Sequence, residues 1–427
     1  MNVIKNRKRL ASERTSTSRE TKAGLGAPWF LALFCLPLVM ATATLIPTAT
    51  AGPISTNASF QKSRVQGPWA DPAFFPLAVW LQSPENAGRY RKAGFNTCVG
   101  LWKGPTEQQL AALKGTGMLV ICAQNQVALL HLDDPIIIGW MHEDEPDNAQ
   151  TWAARLGWGK PVSPETVVKD YQRMRMADPS RPVLLNLGQA VAWDGWYGRG
   201  SRNHHPEDYP EYVKGCDIAS FDIYPVNHDS PEVSGRLWYV AQGVERLMRW
   251  GGGEKIVWNC VECTAIRSPK QRPTPHQVRA EAWMSLIHGS RGLIYFVHQF
   301  KPVFKEAALL DDSKMLAAVS ALNRQITELA PVLNSPTIHN RVTVQSENVN
   351  VPIATMVKQC QGSTYLFAVG MRDGPTSATF TFKGIKGEGS LQVLDEDRDV
   401  TARDGVFEDT FAPWDVHLYR LPDNAKQ

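Results

Sequence analysis

Beyond its N-terminal segment this chain has no block of basic residues, and it has no repeat and no second long apolar run; each absence removes a class of protein. The 45 Lys and Arg stand against 42 Asp and Glu, a formal net charge of +3, and the basic excess gathers partly at the N-terminus. No strongly basic face remains to hold nucleic acid. One apolar stretch, Trp29 to Ile46, approaches membrane length, and nothing later resembles a span. There is no H-E-x-x-H metal signature. Cys260 and Cys263 have C-x-x-C spacing, but no second pair completes a zinc site, and on a strand residues three apart point to opposite faces. Structural thiols are expected, and neither a metal nor a cofactor.

What is present begins with a targeting signal. Lys5, Arg7, Lys8 and Arg9 precede the apolar run, and Ala49-Thr50-Ala51 makes a small-residue cleavage site before Gly52. Residues 1–51 read as a signal peptide and 52–72 as a linker, giving a secreted or periplasmic protein with no membrane attachment once the signal is removed. An uncleaved anchor is the alternative reading of the same run, which Pro37 interrupts.

Between residues 73 and 333 short apolar runs alternate with helical patterns. The runs fall at 76–81, 96–102, 118–123, 136–141, 183–187, 217–224, 255–261 and 292–297, mostly Val, Ile, Leu, Cys and Phe, as in parallel strands covered on both faces. Helix openings lie between them: Ser83-Pro84, Pro105-Thr106, Ser163-Pro164, Ser230-Pro231 and Thr274-Pro275. Eight such units predict an α/β fold, a (β/α)8 TIM barrel. From residue 335 to 422 the pattern changes to six short alternating strands with Gly, Asp and Asn turns, which predicts a small C-terminal antiparallel β-sandwich.

Active sites of such barrels lie at the C-terminal strand ends. Strand four ends in His142-Glu143-Asp144-Glu145-Pro146, strand six in Asp222-Ile223-Tyr224, and strand seven in Glu262. Carboxylates emerging from an apolar core are costly unless paired or functional. Two of them across one barrel mouth suit glycoside cleavage, one protonating the leaving oxygen and the other attacking the anomeric carbon.

With those residues the chain resembles clan A of the glycoside hydrolases, retaining barrel enzymes with an acid/base Glu after strand four and a nucleophile Glu after strand seven. Asp144-Glu145-Pro146 is similar to that clan's Asn-Glu-Pro run, with Asp in place of Asn. The stretch from Trp283 to Phe296 resembles the seventh helix and eighth strand of β-galactosidase-like members. The resemblance implies Glu145 as acid/base and Glu262 as nucleophile, acting on a carbohydrate, most simply a β-linked one, without a cofactor. Glu143 is the rival acid/base, and Asp222 the second candidate nucleophile. Asp144 and Asp222 are expected to bind sugar hydroxyls. Tyr224 resembles the residue that holds the clan's nucleophile ionised, or else packs at the rim.

The aromatic loop after strand five offers Trp193, Trp196 or Tyr197 to stack on a sugar ring, or packs on itself. Strand eight ends in His298, a candidate substrate contact where the clan often has a Trp platform. The competing function is a carbohydrate-binding barrel without activity.

Overall fold

In the computed structural model, residues 67–150 and 159–422 are described; the expected signal peptide and most of the linker lie outside them. The strands Leu77–Trp80, Thr97–Val99, Leu119–Cys122, Ile137–Met141, Val183–Leu187 and Ile218–Phe221 follow one another in the sheet, every pair parallel. The seventh strand comes in two segments, Ile256–Val257 and Asn259–Glu262, broken at Trp258. Its first segment pairs with strand six and its second with the eighth strand, Leu293–Phe296, which pairs in turn with the first. A bridge between Asp222 and Cys260 closes the remaining seam. The eight expected strands therefore form a (β/α)8 barrel.

Alternation along these strands decides what fills the lumen. Ala78, Val99, Ile121, Ile138, Leu184, Ile218, Trp258 and Ile294 pack together inside it. Trp69, from a single turn before strand one, closes the N-terminal end: its ring lies 6.2 Å from Trp258 and its Nε1 donates to the Ile138 carbonyl at 2.9 Å. With that end filled by Trp, the opposite end is where polar strand ends can meet a ligand.

The helix openings behave largely as their residues predict. Thr106 and Thr274 form capping boxes with Gln109 and Gln277, and Ser163 caps Pro164–Ala177. One expectation is corrected. The helix after strand six begins at Tyr239, not at Ser230, because the intervening residues form turns and Gly235 takes φ 74°. The last helix divides into Ser313–Glu328 and Ala330–Asn334, with Pro331 in the first turn of the second part, where its missing N–H costs nothing.

The C-terminal region has eight strands rather than six, all antiparallel and hydrogen-bonded into one continuous sheet. Its inner face closes on Leu366, Phe380, Leu391, Phe407 and Tyr419. The other face lies on the barrel helix Pro275–Ile287, where Trp283 stacks on Phe367 at 5.2 Å. That helix is consequently buried on nearly every side.

Candidate active site

Strand four keeps its ladder with strand five beyond Met141. His142 N donates to Leu184 O at 3.0 Å and Glu145 N to Asn186 O at 3.1 Å. Between them the chain leaves regular strand geometry: Glu145 has φ 47°, a left-handed conformation that costs a non-glycine residue energy and recurs at functional positions. The kink separates the two rivals for acid/base. Glu143 is exposed, whereas Glu145 is buried, 2% accessible, so the regular alternation that would place them side by side does not hold. His142 turns outward and meets the Gly215 carbonyl at 2.8 Å; burial holds its pKa below the ordinary histidine range. Asp147 anchors the loop by accepting from Gly188 N and the Tyr209 hydroxyl at 2.9 and 2.7 Å.

The lumen cluster centres on a residue that the sequence reading passed over. Asn186 of strand five donates both amide hydrogens, to Asp144 Oδ1 at 2.9 Å and to Asp222 Oδ1 at 3.0 Å. Its Oδ1 accepts from the Ser220 hydroxyl at 2.8 Å. The two N–H bonds of an amide diverge, so acceptors held this way lie about 5 Å apart. The Cys260 thiol lies 3.6 Å from Asn186 Oδ1 and is pushed well above its ordinary range, by burial first and then by Asp222, Asp144 and Glu145. Strands four to seven thus bring three carboxylates, Asp144, Glu145 and Asp222, around one amide and one thiol. The signal for Asn186 was there: a lone amide in Val-Leu-Leu-Asn-Leu.

Glu262 ends strand seven, two residues beyond Cys260, and is 0% accessible. Val226 N donates to its Oε1 at 2.6 Å and Asn227 N to its Oε2 at 3.0 Å, and the Asn227 side chain donates to Oε2 as well. Asn227 also donates to Thr264 O at 2.9 Å and accepts from Ile266 N at 2.8 Å, so it ties the loop after strand six to the loop after strand seven. Burial pushes the Glu262 carboxyl up to about 7, against the pull of these donors. Val226 and Asn227 thus give Glu262 donors of the kind that hold a carboxylate ionised. Tyr224 is buried in the lumen, its ring 5.0 Å from Phe296.

The other expected substrate contacts fall differently. The loop after strand five packs on itself. Trp193 is buried, donates to Glu232 at 2.9 Å and abuts His228, while Trp196 donates to Asn148 Oδ1 at 2.8 Å. Tyr197, 64% accessible, is the aromatic that this loop presents to solvent. His298 is buried too. Gln82 accepts the Tyr90 hydroxyl at its Oε1, so its amide nitrogen is the donor to His298 Nε2 at 3.2 Å, and burial lowers the imidazole to about 4. Neutral His298 stacks near parallel to Phe300 and Phe304, and Phe304 is exposed. Cys260 lies in the lumen and Cys263 in the core between barrel and helices, so the C-x-x-C pair is split by the barrel wall. Among the described residues no group of His, Cys, Asp and Glu is arranged to hold a metal ion.

No family model and no curated protein matches the chain. Solved structures do share its fold. An α-amylase from Geobacillus thermoleovorans complexed with acarbose superposes with a TM-score of 0.51 at 10% identity, over 81% of this chain and 98% of its own. AmyP in complex with maltose gives 0.50 at 10% identity, over 83% and 97%. A cyclomaltodextrinase gives 0.51 at 8% identity, over 83% and 79%. At these identities the likeness is one of fold: a barrel followed by an antiparallel C-terminal sheet.

Proposed function

We propose that the chain is an exported retaining glycoside hydrolase acting on O-glycosidic, most simply β, bonds of an oligo- or polysaccharide. The observation that carries the proposal is the meeting of acidic side chains from strands four and six on Asn186, at the C-terminal end of a barrel whose other end is closed by tryptophan, with Glu262 buried at the end of strand seven. The bound maltose and acarbose of the fold relatives favour a carbohydrate substrate over other barrel chemistries. Export rests on the basic start, apolar run and Ala49-Thr50-Ala51 site.

In the proposed reaction the Glu262 carboxylate attacks the anomeric carbon as Glu145 gives its proton to the departing oxygen. Glu145 then deprotonates the water that releases the sugar and regenerates Glu262. The hydrogen bonds from Val226 and Asn227 fix the Glu262 carboxyl in place. Glu145 is buried at the kink that follows strand four. A second reading keeps the reaction and makes Asp222 the nucleophile. It is favoured by the Asn186 bridge, which holds Asp222 in one cluster with the acidic end of strand four.

Aryl glycosides and plant, algal and bacterial polysaccharides, with product anomers followed by NMR, test both. Glu262→Ala and Glu145→Ala are expected to lower turnover by several orders of magnitude with the fold intact and the anomer retained in wild type. Near-normal rates in Glu262→Ala together with loss in Asp222→Ala would move the nucleophile to strand six. Sugar affinity without hydrolysis across the panel would replace the enzyme with a binding protein.

A further inference from the structure

Behind Glu262 lies a second carboxyl that the proposed reaction does not use. Glu281 sits in the middle of the helix Pro275–Ile287, wholly inaccessible to solvent because barrel and sheet enclose that helix. Its carboxyl lies within hydrogen-bonding reach of Glu262. Among the described residues no donor outside Glu262 reaches either of its oxygens, and no Lys, Arg or His forms an ion pair with either glutamate. Two ionised carboxylates in contact, in the dark and without a cation, repel by far more than a folded protein tolerates, so one proton must sit between them. The donors already on Glu262 decide where it resides. Val226 N, Asn227 N and the Asn227 amide stabilise charge on Glu262, three donors against the single Glu262 backbone N–H that acts on Glu281.

We infer that Glu281 is a positioning residue for Glu262: it stays protonated and donates its hydroxyl hydrogen to the Glu262 carboxylate, keeping that group ionised and aimed. The inference rests on the reading of Glu262 as nucleophile. A carboxyl desolvated this far acts as a neutral donor, as buried carboxylic acids do elsewhere in enzyme sites. The direction of its titration agrees: Glu281 is pushed well above the ordinary range, by burial and then by Glu262, whereas Glu262 rises only to about 7. The other titratable groups around the pair are Cys263, the residue after Glu262, and, beyond it, Tyr295 of strand eight and Tyr90 of the helix Ala87–Lys92. Burial pushes each of them upward, so all three are neutral in the working range.

The pH dependence has a definite sign. The acid limb of kcat/KM follows deprotonation of the nucleophile in the free enzyme. Removing a donor that favours ionised Glu262 raises its pKa and shifts that limb to higher pH. Glu281→Met, which removes the donor, is expected to shift it upward by about one pH unit, the worth of a hydrogen bond to a charged group. Glu281→Gln, which keeps an N–H donor in place, is expected to leave it near the wild-type position. Independently of any substrate, infrared difference spectra on the alkaline side of the Glu262 midpoint should show the carbonyl stretch of a protonated carboxylic acid in wild type and its loss in Glu281→Gln. An unmoved acid limb in Glu281→Met, or no carbonyl band lost in Glu281→Gln, overturns the inference. Should Glu262→Ala keep full turnover, the reading of the site falls instead, and the infrared band still reports whether Glu281 carries the proton.

Discussion

Asn186 shows how one side chain can organise the mouth of this barrel. It stands in the lumen with two aspartates on its amide nitrogen and the Ser220 hydroxyl on its oxygen, all four polar groups satisfied by each other. Replacing it with leucine leaves Asp144 and Asp222 facing each other at about 5 Å with no donor between them and strands the Ser220 hydroxyl. Asn186→Leu is expected to lower stability by about 1–3 kcal/mol in urea unfolding and to reduce kcat/KM more than it raises KM. A variant as stable and active as wild type would show that the bridge is incidental. The acidic residues at strands four, six and seven were legible in the sequence because each interrupts or ends an apolar run. Asn186 was as visible, yet an amide in a strand reads as a tolerated core polar group until its partners on other strands are known. Glu281 was less visible still. It occupies a helix whose pattern gives it no special place, and only the sheet laid over that helix makes its burial complete.

At the level of elements, the barrel strands were legible because parallel strands covered on both faces must be apolar throughout. The helix caps were legible because Thr and Ser accept from the unsatisfied N–H groups of a first turn, and Pro there has no N–H to satisfy. Two strands of the C-terminal sheet, Arg398–Arg403 and Val406–Phe411, escaped notice because solvent faces much of them and charged residues interrupt their apolar ones. Their turn carried a signal nonetheless: Asp404 and Gly405 both take positive φ, 51° and 78°, the two-residue hairpin loop for which Asp-Gly is suited. The Ser230-Pro231 pair misled in the opposite direction, since a cap signature opens a helix only if the following backbone can continue it. The helix Pro275–Ile287 is where the two parts of the fold share a core, and Trp283 is its largest contact. Its ring stacks on Phe367 and its Nε1 donates to Gln325 at 3.1 Å. Trp283→Ala is expected to cost about 3–5 kcal/mol by urea unfolding. A cost under about 1 kcal/mol would mean that the sheet is held by its polar contacts, His276 to the Pro413 carbonyl and Lys358 to the carbonyls of Leu333 and Ser335.

Across the whole molecule, closure of the sheet does the organising. Strands four and seven lie on different arcs of the barrel, far apart along the chain, and only a closed sheet directs their ends toward one axis. Trp69 and Trp258 fill the opposite end, so the polar strand ends gather where loops can shape a pocket. Loop detail was the least legible part. Whether Trp193 and Trp196 faced a ligand or their own loop depended on Glu232 and Asn148, hydrogen-bond partners that lie elsewhere in the chain. The most direct test of the proposed chemistry is to trap the glycosyl-enzyme with a slowly turned-over fluorinated glycoside and map the modified peptide by mass spectrometry. The sugar is expected on Glu262; a label on Asp222, or an active enzyme whose products show inverted anomers, would contradict it.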